Sequence, residues 1–379
     1  MGIRANLLKG MDTWVGSPLC RLTGVMTWYR YRDQQIPITP GLSSIRRILV
    51  IRPGGIGDMI VLLPALQALS QACPDAQLDI ACEQRNRGIC SLAPFPCHPI
   101  PMDTQPVKFL AQLARNPYDV VIDTEQFHHF SALFAYWSRA PMRIGFNINP
   151  RRNALYTHRV DYAPDGFEGE QFMRLLQPLG IPPQSSRLDA CLKRHVAGLS
   201  IPPPSLAIPN DPYLVLHPFT GAHYKQWPSD RLVELAARLH ASPGLVCVLS
   251  GGATDRPSCE TLAHAIEKHG IPVCNLAGKL TLPQTARLLE KAALFVGLDS
   301  GMAHLAVAMG APTVILFGAS DARKWGTTGL RHAVVRNLLP CAPCCIFGYH
   351  KPCRHLACMQ GIPVDDVITA CQRVLTAGD

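Results

Sequence analysis

Short apolar runs alternate with amphipathic stretches along most of the chain. In the first half, the apolar residues Ile48 to Ile51 precede a glycine-rich turn, and apolar residues at helical spacing then run from Asp58 to about Ser70. This pattern predicts a strand, a loop and a helix. The later apolar runs Leu78 to Cys82 and Val120 to Asp123 indicate further parallel strands. We therefore expect the first half to be an α/β domain.

A second alternation of the same kind begins at residue 213. We expect two doubly wound parallel sheets in tandem, which bind ligands outside the carboxyl ends of their strands, in a cleft between the domains. The predicted strands are Tyr213 to His217, Leu245 to Leu249, Leu294 to Gly297 and Thr313 to Phe317, and the predicted helices lie near Ser229 to His240, Leu282 to Lys291 and Gly301 to Met309.

A proline-rich stretch separates the two alternations. Seven prolines fall between residues 180 and 212, and proline limits both helix and sheet. We therefore place a linker at residues 196–212. The other predicted divisions are an N-terminal extension at 1–45, an N-terminal domain at 46–195, a C-terminal domain at 213–340, and a cysteine-rich segment with a C-terminal helix at 341–379.

Composition narrows the class of protein. The chain has 379 residues, of which 47% are hydrophobic and 17% charged, which favours a folded protein of two domains. No apolar run approaches the roughly 20 residues that span a bilayer, and the N-terminus lacks the pattern of a cleaved signal, so we expect a cytoplasmic protein. Its fifteen cysteines would stay reduced there unless they bind metal.

The positive charge is concentrated at the N-terminus. Of the net charge of +9, the first 52 residues contribute +6, from eight Lys or Arg and two Asp. Residues 1–45 mix these cations with apolar and aromatic residues such as Trp14 and Trp28, a composition that suits the surface of an anionic membrane. The alternative is a helical extension packed on the protein itself. Pro18 is expected to divide it into two short helices. No nucleic-acid-binding motif is present.

A glycine-rich loop joins the first strand to its helix, in the segment Arg52 to Asp58 with sequence RPGGIGD. Glycines let backbone amides approach a ligand closely, and free amides and the helix dipole hold an Asp at a helix start. On these residues alone, Asp58 could equally be the cap of a tight packing turn. The loop matches neither the dinucleotide-binding glycine pattern nor the P-loop.

A second polar loop follows the strand that ends at His217. Thr220, Gly221 and Lys225 offer a hydroxyl, backbone amides and an ammonium group, which together suit a diphosphate. The alternative is an ordinary loop that Trp227 anchors.

A third polar loop follows the strand that ends near Gly297. Asp299 lies at the strand end, and Ser300 and Gly301 begin a helix whose N-terminus suits phosphate. His304 lies one turn into this helix, where a histidine is more often a structural hydrogen-bonding residue.

Five cysteines fall within eighteen residues near the C-terminus, beginning with a C-x2-C pair. Four thiolates can bind Zn or Fe tetrahedrally, and the alternative is a group of reduced, partly buried thiols. The candidate ligands are Cys341, Cys344, Cys353 and Cys358, with His350 and His355 as substitutes.

These motifs, taken together and in this order, resemble glycosyltransferase family 9, the ADP-heptose:lipopolysaccharide heptosyltransferases. The resemblance rests on G-G-x-G-D, K-x-W-P, D-S-G-x-x-H and the strand Pro312 to Gly318, and it covers residues 46 to about 375. It implies the GT-B fold, with two facing Rossmann-like domains, inversion at the anomeric carbon and no metal required for catalysis. One branch of the family holds iron with cysteines of this kind.

The resemblance also implies roles for individual residues. Asp58 matches the general base, and Lys225 matches the residue that neutralises the leaving diphosphate. Asp299 matches the carboxylate that holds the donor sugar, and Asp255 would bind the ribose. The implied donor-binding residues are Thr220, Gly221, Lys225, Asp255, Leu280, Asp299, Ser300, Gly301 and His304, and the acceptor-side residues are Gly55, Gly57 and Arg143.

We therefore expect an inverting transferase that moves a heptose-like sugar from an ADP-sugar to a hydroxyl of a lipopolysaccharide-core or related glycolipid, at the inner face of the cytoplasmic membrane. The alternatives are a protein- or small-molecule-directed transferase of the same family and a non-catalytic nucleotide-sugar-binding or assembly protein. Clustered guanidinium groups favour a phosphorylated glycolipid, unless they form a solvated loop. These are Arg139, Arg143, Arg151 and Arg152.

Overall fold

The computed structural model describes residues 10–31, 40–202, 208–346, 349–350, 353 and 355–377. The chain divides into two compact units, Met1–Arg187 and Leu188–Asp379. Each unit contains a six-stranded sheet in which every pair of neighbouring strands is parallel. The predicted α/β class with two parallel sheets is confirmed.

The sheet of the first unit has the order β3-β2-β1-β4-β5-β6. Its central strand β1 is apolar at every position between two arginines and is buried on both faces, as expected for a parallel strand between layers of helices. The strands are β1 Arg47–Arg52, β2 Gln77–Cys82, β3 His98–Pro101, β4 Val120–Asp123, β5 Met142–Phe146 and β6 His158–Val160. The α-helices are Ser17–Tyr31, Ile56–Ala72, Pro106–Arg115, His129–Trp137, Pro150–Asn153 and Glu168–Arg174.

The sheet of the second unit has the order β12-β11-β10-β7-β8-β9. The strands are β7 Tyr213–His217, β8 Val246–Leu249, β9 Val273–Asn275, β10 Leu294–Leu298, β11 Thr313–Phe317 and β12 His332–Arg336, and the short strands β13 Cys345–Ile346 and β14 Tyr349–His350 pair separately. The α-helices are Lys193–Gly198, Ser229–Ala241, Arg256–Glu267, Leu282–Glu290, Gly301–Ala308, Ala322–Trp325, Ala357–Gln360 and Val364–Thr376.

The division between the units lies earlier in the chain than the predicted linker at 196–212. Backbone amides of Ala190 and Leu192 donate to the carbonyls of Val307 and Ala308 at 3.0 and 2.9 Å, and the helix Lys193–Gly198 packs on the helix Leu282–Glu290. Residues 188–198 are thereby built into the second unit. Residues 203–207 of the predicted linker lie outside the described residues.

The N-terminal extension is helical from Gly10 to Tyr31. A wide π-helical turn at Asp12–Gly16 leads directly into the α-helix Ser17–Tyr31. The predicted division into two helices is wrong, because Pro18 lies in the first turn of the α-helix, where a missing N–H is tolerated. Residues 1–9 and 32–39 of the extension lie outside the described residues. Where helices are described, none is both long and apolar enough to cross a bilayer.

Asp12 fastens this helix to the first unit. Its side chain is buried and accepts hydrogen bonds from the backbone N–H groups of His129 and Phe130 at 2.8 Å and from the His129 ring at 3.0 Å. Asp12 therefore caps the helix His129–Trp137 from a distant part of the chain. Burial acts to raise the pKa of Asp12, but these hydrogen bonds and one from His128 outweigh it and hold the pKa far below the usual range.

The cysteine-rich segment and C-terminal helix belong to the core of the second unit. Trp227 donates its indole N–H to the carbonyl of Ile362 at 3.1 Å, and Met359 is fully buried. A side chain at Gly318 would meet the sulfur atoms of Met359 and Cys358 at 2.5 and 3.0 Å. The end of β11 and the cysteine-rich segment are therefore packed too closely to admit any residue larger than glycine.

Candidate active site

Asp58 is anchored at the carboxyl end of β1. Gly54 has a φ of +117°, which glycine adopts readily, and the chain then enters the helix Ile56–Ala72. The N–H of Gly55 donates to Asp58 Oδ2 at 2.9 Å, and Arg52 Nη2 donates to Asp58 Oδ1 at 2.8 Å. The Asp58 side chain is still 27% exposed. It is thus both a helix cap and a carboxylate that can reach a substrate.

The loop after β2 supports the glycine-rich loop. The N–H of Gly54 donates to Glu83 Oε1 at 3.1 Å, and Asn86 donates its side-chain amide to the carbonyl of Arg52 at 3.2 Å. Gly57, predicted on the acceptor side together with Gly55, lies in the first turn of the helix. Hydrogen bonds between the loop after β1 and the loop after β2 therefore fix the backbone around Asp58.

A buried polar run follows β4 at the same edge of the sheet, and sequence reasoning missed it. The residues Asp123 to Gln126 are each no more than 5% exposed, and Arg52 Nη1 donates to the carbonyl of Thr124 at 2.9 Å. The available signal was a sequence of four polar residues, DTEQ, at the end of an entirely apolar strand.

Glu168 is a second carboxyl group that the sequence did not reveal. It begins a helix that packs on the helix of Asp58, and it is fully buried. Its oxygens accept hydrogen bonds from the Gln126 side chain and, at 2.7 Å, from the Tyr162 hydroxyl. Burial raises the pKa of Glu168 to about 8, against the opposing effect of Arg52. At neutral pH this carboxyl group is mainly protonated.

The structure does not bring Arg143 together with Asp58. Arg143 is level with Leu49 across the sheet, well before the strand ends, and its guanidinium donates to the carbonyls of Leu155 and Ala140. The four predicted arginines do not form one solvated cluster either. Arg152 is 1% exposed and paired with Asp123 at 2.9 Å, Arg151 donates to Ser17, and Arg139 and Arg143 line a cavity of about 740 Å³ with Leu110 and Trp137.

In the second unit, Lys225 and Asp299 form an ion pair at the carboxyl ends of β7 and β10. Lys225 Nζ lies 2.6 Å from Asp299 Oδ2, with the two side chains 21% and 10% exposed. Burial acts to raise the pKa of Asp299, but Lys225 above all, with Ser320 and His304, lowers it. Two residues that are 74 positions apart in the sequence are thus brought together by adjacent strands.

The phosphate-binding candidates surround this pair. The Thr220 hydroxyl bonds to the backbone of Ala222, which closes a tight turn at Gly221. Ser300 directly precedes the helix that Gly301 begins, and its hydroxyl is buried with no hydrogen-bond partner among the described residues. The hydroxyl and the helix N-terminus therefore remain able to bind an anion.

The remaining donor-side candidates lie on neighbouring loops. Asp255 follows β8 and accepts from the N–H of Gly252 at 2.8 Å, while Leu280 follows β9 and is half-buried. Gly278 has a φ of +67°, and a side chain there would lie 2.7 Å from the Cα of Ala253. The two loops are therefore packed against each other.

Two histidines at this edge are buried. His304 is 3% exposed, and its ring lies 6.4 Å from that of Trp325. His217 ends β7 and contacts the Ser250 hydroxyl at 3.1 Å, and burial lowers its pKa to about 4. His217 is therefore neutral at physiological pH, which suits a structural role.

Several thiols of the cysteine segment lie near one another in the part of the chain that the structure describes. Burial, followed by the thiols of Cys341, Cys353 and Cys345, raises the pKa of Cys344, so these groups are electrostatic neighbours. Burial and then Cys344 likewise raise the pKa of Cys358. Within the described residues, however, no group of three or more Cys, His, Asp or Glu is arranged to hold a metal ion. The side chain of His350 is not among those described, and that of His355 is exposed.

Comparison with known proteins identifies the family. The model of the family described as Glycosyltransferase family 9 (heptosyltransferase) matches residues 107–354, more than half of the chain. Lipopolysaccharide heptosyltransferase 3 of Escherichia coli is 28% identical over 294 residues, which are 71% of this chain and 82% of that protein.

Solved structures share the fold. The ADP-heptose lipopolysaccharide heptosyltransferase II of E. coli superimposes with a TM-score of 0.67 at 24% identity, over 88% of this chain and 99% of that one. The iron-containing dodecameric glycosyltransferase TibC of enterotoxigenic E. coli gives a TM-score of 0.58 at 16% identity, over 90% of this chain and 78% of that one.

The chain shares the GT-B fold of the solved heptosyltransferases, and the family match makes the protein a glycosyltransferase. More particularly, the chain belongs to glycosyltransferase family 9, the heptosyltransferase family. The resemblance read from the three motifs is confirmed.

The buried carboxyl group of Glu168 predicts a specific pH dependence of stability. Because its pKa is about 8 in the folded protein and 4.5 ordinarily, its contribution to stability is fully present below about pH 4.5 and is lost as the pH rises to about 8. Glu168→Gln keeps the shape without the charge. We expect the urea unfolding free energy of the wild type to fall by on the order of 3 kcal/mol relative to Glu168→Gln between pH 5 and pH 9.

The matched control is Glu170→Gln, which changes an exposed carboxylate on the same helix. It should follow the wild type across the pH range. Parallel curves for the wild type and Glu168→Gln would show that Glu168 is ionised in the folded protein.

Proposed function

We propose that this chain transfers a heptose residue from ADP-heptose to a hydroxyl group of a lipopolysaccharide-core acceptor, with inversion at the anomeric carbon. The observation that supports this most directly is Asp58, a partly exposed carboxylate fixed through both oxygens at a strand end. The names of the relatives supply the substrates: E. coli heptosyltransferases 3 and II are described as acting in lipopolysaccharide synthesis, the latter with ADP-heptose.

The proposed chemistry is a single displacement. The acceptor oxygen forms a bond to C1 of the heptose while the bond from C1 to the ADP oxygen breaks, and Asp58 takes the acceptor proton. The leaving diphosphate gains negative charge, which the ammonium group of Lys225 stabilises, helped by the Ser300 hydroxyl and the N-terminus of its helix. Asp299, held ionised by Lys225, accepts hydrogen bonds from the sugar hydroxyls.

The contacts of the donor nucleoside are proposed on the neighbouring loops. Asp255 would accept hydrogen bonds from the ribose, and Leu280 would pack on the nucleoside. Both lie at the same edge of the second sheet as Lys225, on the loops that follow β8 and β9. Gly55 and Gly57 remain the candidates for the acceptor side, where backbone without side chains leaves room beside Asp58.

Asp58→Asn should lower kcat by about 10³-fold or more, because the amide keeps the size of the side chain but cannot take a proton. The affinity for ADP-heptose, measured by calorimetry, should be unchanged. Transfer would be assayed with lipopolysaccharide from a heptose-deficient strain. The control is Asp75→Asn, which changes a surface carboxylate whose side chain is 78% exposed.

Activity near the wild-type level in Asp58→Asn would remove Asp58 as the base. A thermal-shift screen of ADP-, UDP- and GDP-sugars tests the donor separately, because a ligand that binds the folded state raises its melting temperature. Transfer to a peptide but not to lipopolysaccharide would favour the protein-directed alternative, and no transfer or donor hydrolysis at all would favour a binding protein.

We also propose that the first unit docks through its N-terminal helix on the anionic inner face of the cytoplasmic membrane. Ten large apolar side chains are exposed among the described residues, and eight of them belong to the first unit. Trp14 is 82% exposed. The eight are Met11, Trp14, Val15, Leu22, Val107, Leu110, Phe127 and Trp137.

These side chains lie on or beside three helices that cover one face of the sheet. Cys20, Phe109 and Ala132, one from each helix, pack in a single cluster with Leu49 and Ile51 of β1. Leu110 and Trp137 line one cavity, and the helix Ser17–Tyr31 packs on the helix His129–Trp137. We call the exposed side chains on and beside these three helices the docking face. Exposed apolar side chains gathered on a folded unit indicate an interaction site.

The docking face is also basic. Residues 104–118 and 127–151 contain no Asp or Glu, and the acid of the described helix 10–31, Asp12, is buried. Exposed cations accompany the apolar groups, namely Arg21, Lys108, Arg115 and Arg139. Apolar side chains that enter the headgroup region, together with cations near phosphates, favour an anionic bilayer as the partner.

Replacing Trp14 and Leu22 by Ser should weaken binding to vesicles of phosphatidylcholine with about 30% phosphatidylglycerol by on the order of 10-fold or more, since burying one such side chain contributes about 1.5–3 kcal/mol. Flotation measures the bound fraction. The control replaces Leu330 and Leu338, two exposed leucines of the second unit, by Ser.

Equal losses in the two double variants, or binding that ignores phosphatidylglycerol, would contradict membrane docking. A smaller assembly in light scattering with unchanged vesicle binding would instead assign the docking face to a second copy of the chain.

We propose, finally, that Cys341, Cys344, Cys353 and Cys358 take up Zn or Fe. The support is that neighbouring thiols, after burial, raise the pKa of Cys344 and Cys358, and that TibC, which shares the fold, is described as containing iron. Because the described thiols are not in ligand geometry, binding requires a rearrangement of segment 341–358. Such a metal would stabilise the segment and takes no part in the transfer step.

Elemental analysis of untagged protein should find about one Zn or Fe per chain. Replacing Cys341 and Cys344 by Ser should abolish it, whereas Cys191→Ser, far along the chain, should retain it. A fully folded wild-type sample without metal would contradict this proposal.

A further inference from the structure

Arg52 is a buried cation that the transfer mechanism does not yet use. Its side chain is 3% exposed, and three groups hold it: the carbonyl of Thr124 at 2.9 Å, the carboxylate of Asp58 at 2.8 Å, and the ring of Phe172, whose centroid lies 5.2 Å from the guanidinium carbon. The carbonyl of Thr124 and the ring of Phe172 hold the guanidinium independently of Asp58. The guanidinium therefore fixes the position of the Asp58 carboxylate.

Four carboxyl groups surround Arg52, but Asp58 is the one that it binds. Burial acts to lower the pKa of Arg52, and the carboxyl groups, above all Asp58, outweigh this and raise it. Among the described ion pairs, Arg52 contacts no other carboxylate. The other three bind elsewhere: Asp123 accepts from Arg152 and Tyr156, Glu125 from two backbone N–H groups, and Glu168 from Gln126 and Tyr162.

The two neighbouring glutamates do not take the guanidinium from Asp58. Burial acts to raise the pKa of Glu125, but Arg52 above all lowers it, and the carboxylate accepts hydrogen bonds from two backbone N–H groups instead of from Arg52. Burial raises the pKa of Glu168 to about 8, so at neutral pH that carboxyl group is mainly neutral. The Tyr162 hydroxyl can accept as well as donate, so its contact with Glu168 survives protonation. Asp58 therefore remains the carboxylate that Arg52 contacts directly.

We propose that Arg52 is a positioning residue for the base Asp58. It fixes Oδ1 while the N–H of Gly55 fixes Oδ2, so the plane of the carboxylate is set and its remaining lone pairs point to the exposed side. This inference rests on the proposed role of Asp58 in the transfer reaction.

The same strand provides a matched control. Arg47, the first residue of β1, contacts the buried Asp79 at 2.9 Å and lies 5.3 Å from the ring of Tyr118. Arg47 thus has the same kind of partners as Arg52, a carboxylate and an aromatic ring, but at the amino end of the strand. Loss of either arginine removes the cation that is paired with a carboxylate, from a side chain that is 3% exposed in Arg52 and 25% exposed in Arg47.

The experiment compares Arg52→Gln, Arg52→Lys and Arg47→Gln in the heptosyl transfer assay. Arg52→Gln should lower kcat by about 10- to 100-fold at neutral pH, with unchanged ADP-heptose affinity. Arg52→Lys keeps the positive charge and should recover part of kcat, but only part, since a single ammonium cannot hold Asp58 and Thr124 together.

Arg47→Gln should lose stability but keep kcat near the wild-type value. Equal losses of kcat in Arg52→Gln and Arg47→Gln, or a wild-type kcat in Arg52→Gln, would overturn the inference. Should Arg52→Gln fail to fold, the kcat of Arg52→Lys still decides, because a wild-type value there would contradict the positioning role. The two proposals are distinguishable: an active Asp58→Asn removes the base, whereas an inactive Asp58→Asn with a fully active Arg52→Gln removes only the role of Arg52.

Discussion

Parallel pairing is the constraint on which the rest of this structure depends. In a parallel sheet every strand ends at the same edge, and the following helices begin there with unpaired N–H groups. Each unit places its polar groups at that edge: Asp58 and the run after Asp123 in the first, Lys225 and Asp299 in the second. Lys225 and Asp299 meet because the strands that they follow, β7 and β10, are neighbours in the sheet.

This arrangement requires a set of charges buried beneath the glycine-rich loop. Arg52, Arg152 and Asp123 are each no more than 3% exposed, and a buried charge is tolerated only with partners in good geometry. The partners are present: Arg152 meets both Asp123 and Tyr156, and Arg52 meets Asp58 and a backbone carbonyl. The hydrogen bonds among these buried side chains restrict their movement. Because Arg52 belongs to this network, it also restricts the partly exposed Asp58 side chain.

The sequence could predict the strands and the loops that follow them, because apolar runs and glycines carry that information locally. The predicted bounds of β4, β7 and β11 agree with the structure at both ends. Asp58 was recognisable through its glycines. Glu168 was not, because nothing in the local sequence marks a carboxyl group whose importance comes from a helix packing against another. The end of the first unit could not be predicted either. Prolines indicate where the chain is irregular, but they do not show which unit that part of the chain packs against.

The buried carboxylate of Asp12 fixes the orientation of the N-terminal helix on the first unit. A basic, aromatic helix joined by a loose linker would tether a protein to a membrane without orienting it. Here Asp12 caps the helix His129–Trp137, so the two helices share hydrogen bonds that would be lost if they separated. The exposed Trp14 is therefore a rigid feature of the first unit, and a membrane bound there would hold that unit, with the edge that carries Asp58, in a fixed orientation.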